Sequence, residues 1–168
     1  MRLGDGVEQA IHSVALLAGL KGESVLAAAA LAEFHGVSPS YLLKHLQALS
    51  NAGLLATLPG PNGGYRLAKP PAKITLLDIV LAVEGPAPAF RCTEIRLRGP
   101  NPVPGPPPTR PCEINAAMLK AEQAWRAELA KVTIADILSE LSANDADGRI
   151  EARRCAFLEL RERRQPAP

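Results

Sequence analysis

The sequence predicts a mainly α fold carrying one small β-hairpin, with a long helix beyond it. Three observations predict this class. Apolar residues recur at spacings of three and four from Val7 to Leu49 and again after Glu113. Between Leu54 and Leu67, two short apolar runs flank a turn-rich hexapeptide. Aromatics make up only 4% of the chain, so Leu, Val, Ile and Ala must build the core.

Val7 to Leu20 reads as a first helix, its apolar side marked by Val7, Ala10, Ile11, Val14, Leu17 and Ala18, with Gly22 breaking it. A second helical pattern runs from about Ser24 to His35 and stops at Gly36. Ser38 followed by Pro39 opens a third, as an N-cap and a first helical residue whose φ is already suited to the helix. There Leu42, Leu46 and Leu49 form the inward stripe. Ser40, Tyr41, Lys44 and Ala48 share another face with Gln47 at its border, and Gly53 ends the helix. Two helices joined by a short glycine turn, the second with a polar and basic outer face, make a helix-turn-helix.

Leu54 to Leu58, the turn Pro59 to Gly64, and Tyr65 to Leu67 then read as a hairpin, which in this position is a wing. Thr75 with Asp78 three residues on resembles a capping box opening a short helix through Val83. Residues 85–111 hold nine prolines and form no regular element; Cys92 and Cys112 lie towards the two ends of this loop. From Glu113 a helix returns, with Ile114, Met118, Ala121, Trp125, Leu129 and Val132 on one stripe, and Trp125 read as packing. Thr133 with Asp136 caps a further helix to about Leu141. Beyond Asn144 the chain is polar and Arg-rich, and a poorly ordered tail is expected.

A length of 168 residues accommodates one ordinary domain with an extension. The apolar stretch Val25 to Ala32 is too short to span a bilayer and no basic-then-apolar leader opens the sequence, so no membrane partner and a cytoplasmic location are expected. A net charge of +2 advertises no polyanion partner, but its distribution does. No Asp or Glu occurs from Phe34 through Leu77, a window holding Lys44, Arg66, Lys69 and Lys73. Phosphates are drawn to such a field.

Three cysteines, Cys92, Cys112 and Cys155, favour thiolate ligands or a redox-active thiol over structural disulfides. Cys92 and Cys112 could converge on one metal centre but are too few to hold it. Glu8 and His12, four residues apart on one helical face, are candidates to complete it; an ordinary surface pair has the same spacing. Zinc is a rival, although nineteen residues separate the two cysteines where structural zinc sites usually have roughly two to four. Cys155 reads as incidental, though neighbouring arginines could lower its pKa, and His35 and His45 have no partner at metal spacing. No Gly-rich phosphate loop, nucleophile elbow or H-E-x-x-H helix is present, so an enzyme is not expected.

The run from Val37 to Leu49, Gly63-Gly64-Tyr65-Arg66-Leu67, and Ile74 to Val80 resemble the Rrf2 family of bacterial winged-helix regulators, which includes IscR and NsrR. Members typically place three cysteines close together in the loop after the wing; this chain has two. In that respect it resembles the subgroup typified by the redox-sensitive regulator RsrR. That resemblance implies a 2Fe-2S cluster held by Glu8, His12, Cys92 and Cys112, and a homodimer joined through the helix from about Ile114 to Val132.

The expected organisation is therefore a winged helix-turn-helix over 1–84, a proline-rich cluster loop over 85–112, dimerisation helices over 113–142 and a tail over 143–168. The expected function is a repressor on a palindromic double-stranded operator, switched by the redox state of the cluster. Nitric oxide or iron sensing, and a zinc-stabilised or metal-free regulator, are the alternatives. Ser38, Ser40, Tyr41, Lys44 and Gln47 are the expected groove contacts, and Asn62, Gly63, Gly64 and Arg66 those of the wing.

Overall fold

The computed structural model describes residues 3–102, 104–106 and 108–164. Its element order is α1 (Asp5–Leu17), α2 (Ala28–His35), α3 (Pro39–Asn51), β1 (Leu55–Leu58), β2 (Gly64–Leu67), α4 (Leu76–Glu84), α5 (Glu113–Lys131), α6 (Ile134–Asn144) and α7 (Arg149–Arg161). The fold class is the expected one: mainly helical, with a two-stranded antiparallel wing in which Leu55 faces Leu67 and Leu58 faces Gly64. The core gathers the inner stripes of α1, α2 and α3 with Leu26, Ile74, Ile79 and Ile134. Leu42, Leu46 and Leu49 are all fully buried.

Local signals set several boundaries. Pro39 is the first residue of α3, and Gly36 closes α2 in a left-handed conformation with φ 66°. Ser38 sits at the N-cap position of α3, but its hydroxyl meets that of Ser40 at 3.1 Å instead of capping. Thr75 and Thr133 each close a full capping box with Asp78 and Asp136. The two boxes lie side by side, since Thr75 and Thr133 form an antiparallel bridge and Ile134 N–H donates to the Ile74 carbonyl at 2.9 Å. That pairing draws α6 back onto the winged-helix body and seats Ile134 in its core.

Three expectations are corrected. The first helix ends at Leu17 instead of Leu20. The second begins at Ala28 instead of about Ser24, because Val25 and Leu26 are extended and bridge Arg163 and Tyr65 respectively. The tail is also ordered through most of its length: α7 packs against the body with Leu158 buried and the Phe157 ring 4.9 Å from Phe34. The final four residues of the expected tail, and residues 103 and 107 of the loop, lie outside the described residues.

α1 crosses α3 closely. A Cβ at Gly6 would overlap the His45 ring, so glycine is what lets that imidazole sit beneath α1. Burial lowers the His45 pKa, against a smaller raising influence from Glu84.

Candidate nucleic-acid interface and metal-ligand loop

The outward face of α3 carries what the spacing predicted. Ser38, Ser40, Tyr41, Lys44 and Gln47 are all exposed, with Tyr41 stacked edge-on to His45 at 4.7 Å. Lys44, Lys69 and Lys73 are exposed and make no ion pair among the described residues, leaving their charge free for a polyanion. The Ser50 and Thr57 hydroxyls meet at 2.9 Å and tie the end of α3 to β1.

The wing's residues divide by role. Asn62 is exposed at the turn. Gly63 and Gly64, expected at the DNA surface, are buried: a Cβ on Gly63 would strike the Leu58 carbonyl, and one on Gly64 would lie 2.5 Å from the Leu26 carbonyl oxygen. Both therefore shape the wing through close backbone approach. Arg66 is half-buried and ion-paired to Glu23 at 2.8 Å, so its charge is partly neutralised in the free chain.

The proline-rich loop is tied down at both ends. Near its start, the Glu122 carboxylate on α5 accepts the Ala89 N–H at 2.9 Å and pairs with Arg126 at 2.6 Å. Arg126 in turn donates to the Pro86 and Ala87 carbonyls. Glu122 is buried to 9% side-chain exposure, a setting in which an unpaired charge would be costly.

Cys92 and Cys112 are free and half-buried. Around Cys92 the loop hooks: Glu94 takes a left-handed backbone with φ 51°, its N–H donates to Cys92 Sγ at 3.4 Å, and its carboxylate holds Arg96 at 2.8 Å. A non-glycine residue there costs about 1 kcal/mol or more. Arg96 also donates to the Arg110 carbonyl at 3.1 Å and reaches Glu113 at 3.7 Å, beside Cys112 at the N-terminus of α5. Its hydrogen bond to Glu94 raises the Arg96 pKa above its ordinary value, and negative charge on Cys112 and Glu113 acts in the same direction. One guanidinium thus links the two cysteine-bearing ends of the loop.

Glu8 and His12 stand exposed on α1, lining one hollow of about 290 Å³ with Leu3 and Ile11. Glu8 makes no hydrogen bond or ion pair among the described residues. Among those residues, no three His, Cys, Asp or Glu side chains gather as a metal-holding group. Within a single chain Glu8 and His12 thus line one hollow of α1, and Arg96 ties the Cys92 end of the loop to the Cys112 end, without the described residues gathering the four side chains into one group.

Two features were missed by spacing. His35, read as isolated, lies 5.7 Å from His12 between ring centroids. Burial lowers its pKa to about 4, helped by His12 and Arg153, and its Nε2 is buried without a partner. The pair borders an open cleft of about 610 Å³ lined by residues of α1, α2, α6 and α7. Cys155 donates to Glu151 at 3.2 Å, and that bond raises its pKa, the reverse of an arginine-activated thiol.

α5 has no buried residue in the single chain; Ile114 and Met118 are 64% and 44% exposed on its first turns. No helix of the described residues is long and apolar enough to cross a membrane.

Residues 3–140 match the Rrf2 family model, described as "Iron-dependent Transcriptional regulator". The HTH-type transcriptional regulator YffB of Lactococcus lactis is 32% identical over 144 residues, covering 86% of this chain and 91% of that protein. The HTH-type regulator YwgB of Bacillus subtilis is 45% identical over 85 residues, 51% of this chain and 54% of that protein. Among solved structures, T. potens IscR superposes with a TM-score of 0.64 at 21% identity, covering 86% of this chain and 91% of that one. CymR, the global cysteine regulator of B. subtilis, gives 0.63 at 23%, covering 83% and 98%. At those identities the structural likeness speaks to the fold, and it is the sequence matches that carry the assignment: this chain belongs to the Rrf2 family of transcriptional regulators.

Proposed function

We propose that the chain works as a homodimeric, cytoplasmic repressor that occupies a palindromic duplex operator and whose affinity is set by a 2Fe-2S cluster. The observation that carries the DNA half is the exposed polar face of α3 with an unpaired Lys44, joined to a wing inside an acid-free stretch of sequence. α3 would enter the major groove, with Ser40, Tyr41, Lys44 and Gln47 towards bases and phosphates, while Asn62 and Arg66 carry the wing to the flanking backbone.

The donor chemistry of Cys92, Cys112, His12 and Glu8 fits a cluster: two free thiols, an exposed imidazole and an unpaired carboxylate. Because one chain does not gather all four, the reading pairs Cys92 and Cys112 of one chain with Glu8 and His12 of a second copy. Such a cluster supplies a one-electron couple, and an imidazole ligand raises its potential relative to thiolate alone. Arg96 would hold the two cysteine ends in place and offset their negative charge. Glu8 and His12 lie on the helix that rests on α3 through Gly6 and His45, so a displacement of α1 reaches the recognition helix by direct packing. A metal-free regulator with the same DNA surface is the second reading, favoured by the separation of the two ligand pairs within one chain.

Binding of the purified protein to duplex DNA is expected to weaken steeply with salt. Lys44→Ala should reduce affinity across sequences and lower the salt slope by about 1, measured by fluorescence anisotropy over a salt series. Wild-type affinity and slope in that variant would remove α3 from the interface.

A further inference from the structure

The last helix lies beyond the family-matched region, which ends at residue 140, yet its far end is fastened to the wing. Arg163 N–H donates to the Val25 carbonyl at 2.9 Å, and Val25 N–H returns a bond to the Arg163 carbonyl at 3.0 Å. The next residue, Leu26, makes the same reciprocal pair with Tyr65 of β2, at 3.0 and 2.9 Å. The C-terminal segment therefore adds a rung that connects through residues 25 and 26 to the wing strand. Arg163 Nη1 also donates to the Pro61 and Gly63 carbonyls, each at 2.8 Å. Those carbonyls belong to the wing turn itself.

α7 is anchored independently of the wing. Arg153 lies 4.3 Å over the Phe34 ring and donates to the Phe34 carbonyl at 3.2 Å; Arg161 pairs with Glu33 at 2.6 Å. At Gly19 a Cβ would lie 2.7 Å from the Leu158 side chain, so the small residue admits it. Both α2 and the end of α1 thus hold the helix that delivers Arg163.

The turn it grips has Gly60, Gly63 and Gly64 in six residues, and a free loop of that composition loses much backbone entropy on fixing. A turn ordered beforehand loses less when it meets DNA.

We propose that α7 and Arg163 form a strap that pre-orders the wing, making Arg163 a positioning residue for DNA binding. The proposal rests on the DNA-binding reading given above. It separates from a direct phosphate contact by charge: a strap acts through geometry, whereas a phosphate contact contributes to counterion release.

The test uses the full chain and a duplex selected by the wild-type protein from a random-sequence pool. Arg163→Ala should weaken binding by about tenfold with the salt slope unchanged, and should speed amide exchange at residues 62–66. Arg163→Lys keeps the charge, but its nitrogen sits one bond nearer the backbone than the Nη1 that meets both carbonyls, so it should restore little of the affinity. Wild-type affinity and exchange in Arg163→Ala would overturn the strap. A slope reduced by about 1, with full recovery in Arg163→Lys, would overturn it in favour of direct phosphate contact. If the wild type selects no duplex, the regulator reading fails, and amide exchange of the wing still decides the strap.

Discussion

Cys112→Ser is expected to strip the protein of iron while leaving the winged helix folded. An alcohol does not replace a thiolate as a cluster ligand, and Cys92 alone offers one thiol where two are already the minimum on this loop. The fold should survive because Cys112 occupies the N-cap position of α5 without making a side-chain cap bond, and the helix is retained on the body by Glu122, Arg126 and the α5–α4 packing. Iron and sulfide per chain after anaerobic purification should fall to background, with the far-ultraviolet circular dichroism unchanged. Cys155→Ser is the matched control: its thiol is bonded to Glu151 on α7, apart from the loop, and its loss should leave metal content intact. Equal loss in both variants would show that the ligands have been misassigned.

The second large effect is expected at the exposed stripe of α5. A helix of 19 residues with none buried, and with Ile114 and Met118 open to solvent, is half of an interface in the dimer reading. A two-fold interface is self-complementary, so Met118→Glu places two carboxylates in it at once. Burying such unpaired charge costs about 3 kcal/mol or more. Dimer dissociation should therefore rise by about two orders of magnitude, and affinity for a palindromic duplex should fall with it as each half-site is read alone. Sedimentation velocity across a concentration series measures the first effect directly. Leu160→Glu, at a still more exposed apolar residue on α7, should leave the dimer untouched. A wild-type protein that sediments as a monomer at all concentrations would contradict the assignment of α5.

The parts of this molecule that were legible in the sequence are those fixed by neighbours in the chain. The capping boxes at Thr75 and Thr133, the Ser38-Pro39 start of α3 and the wing turn each depend on a few consecutive residues, and the structure has them where the pattern put them. The exposed face of α3 follows in the same way, because burying Leu42, Leu46 and Leu49 leaves Ser40, Lys44 and Gln47 outside.

What was hidden depends on residues far apart. Val25 and Leu26 sit in a run that reads as helical, and pairing with Arg163 and Tyr65 makes them extended. α7 escaped notice because arginines hold it: Leu158 is its one buried side chain, while Arg153 and Arg161 supply the long-range bonds. An apolar period does not register such a helix. The approach of His35 to His12 is likewise a product of α1 packing on α2. For the ligand set, helical spacing placed Glu8 and His12 on one face, but no local rule connects that face with the cysteine loop.

The most direct test is the metal content and visible absorbance of the full chain purified without oxygen, followed by operator affinity before and after one-electron reduction. The account predicts a coloured protein with two irons and two sulfides per chain and different affinities in the two states. A colourless protein without iron, binding its operator equally in oxidant and reductant, would contradict it and leave a metal-free winged-helix regulator in its place.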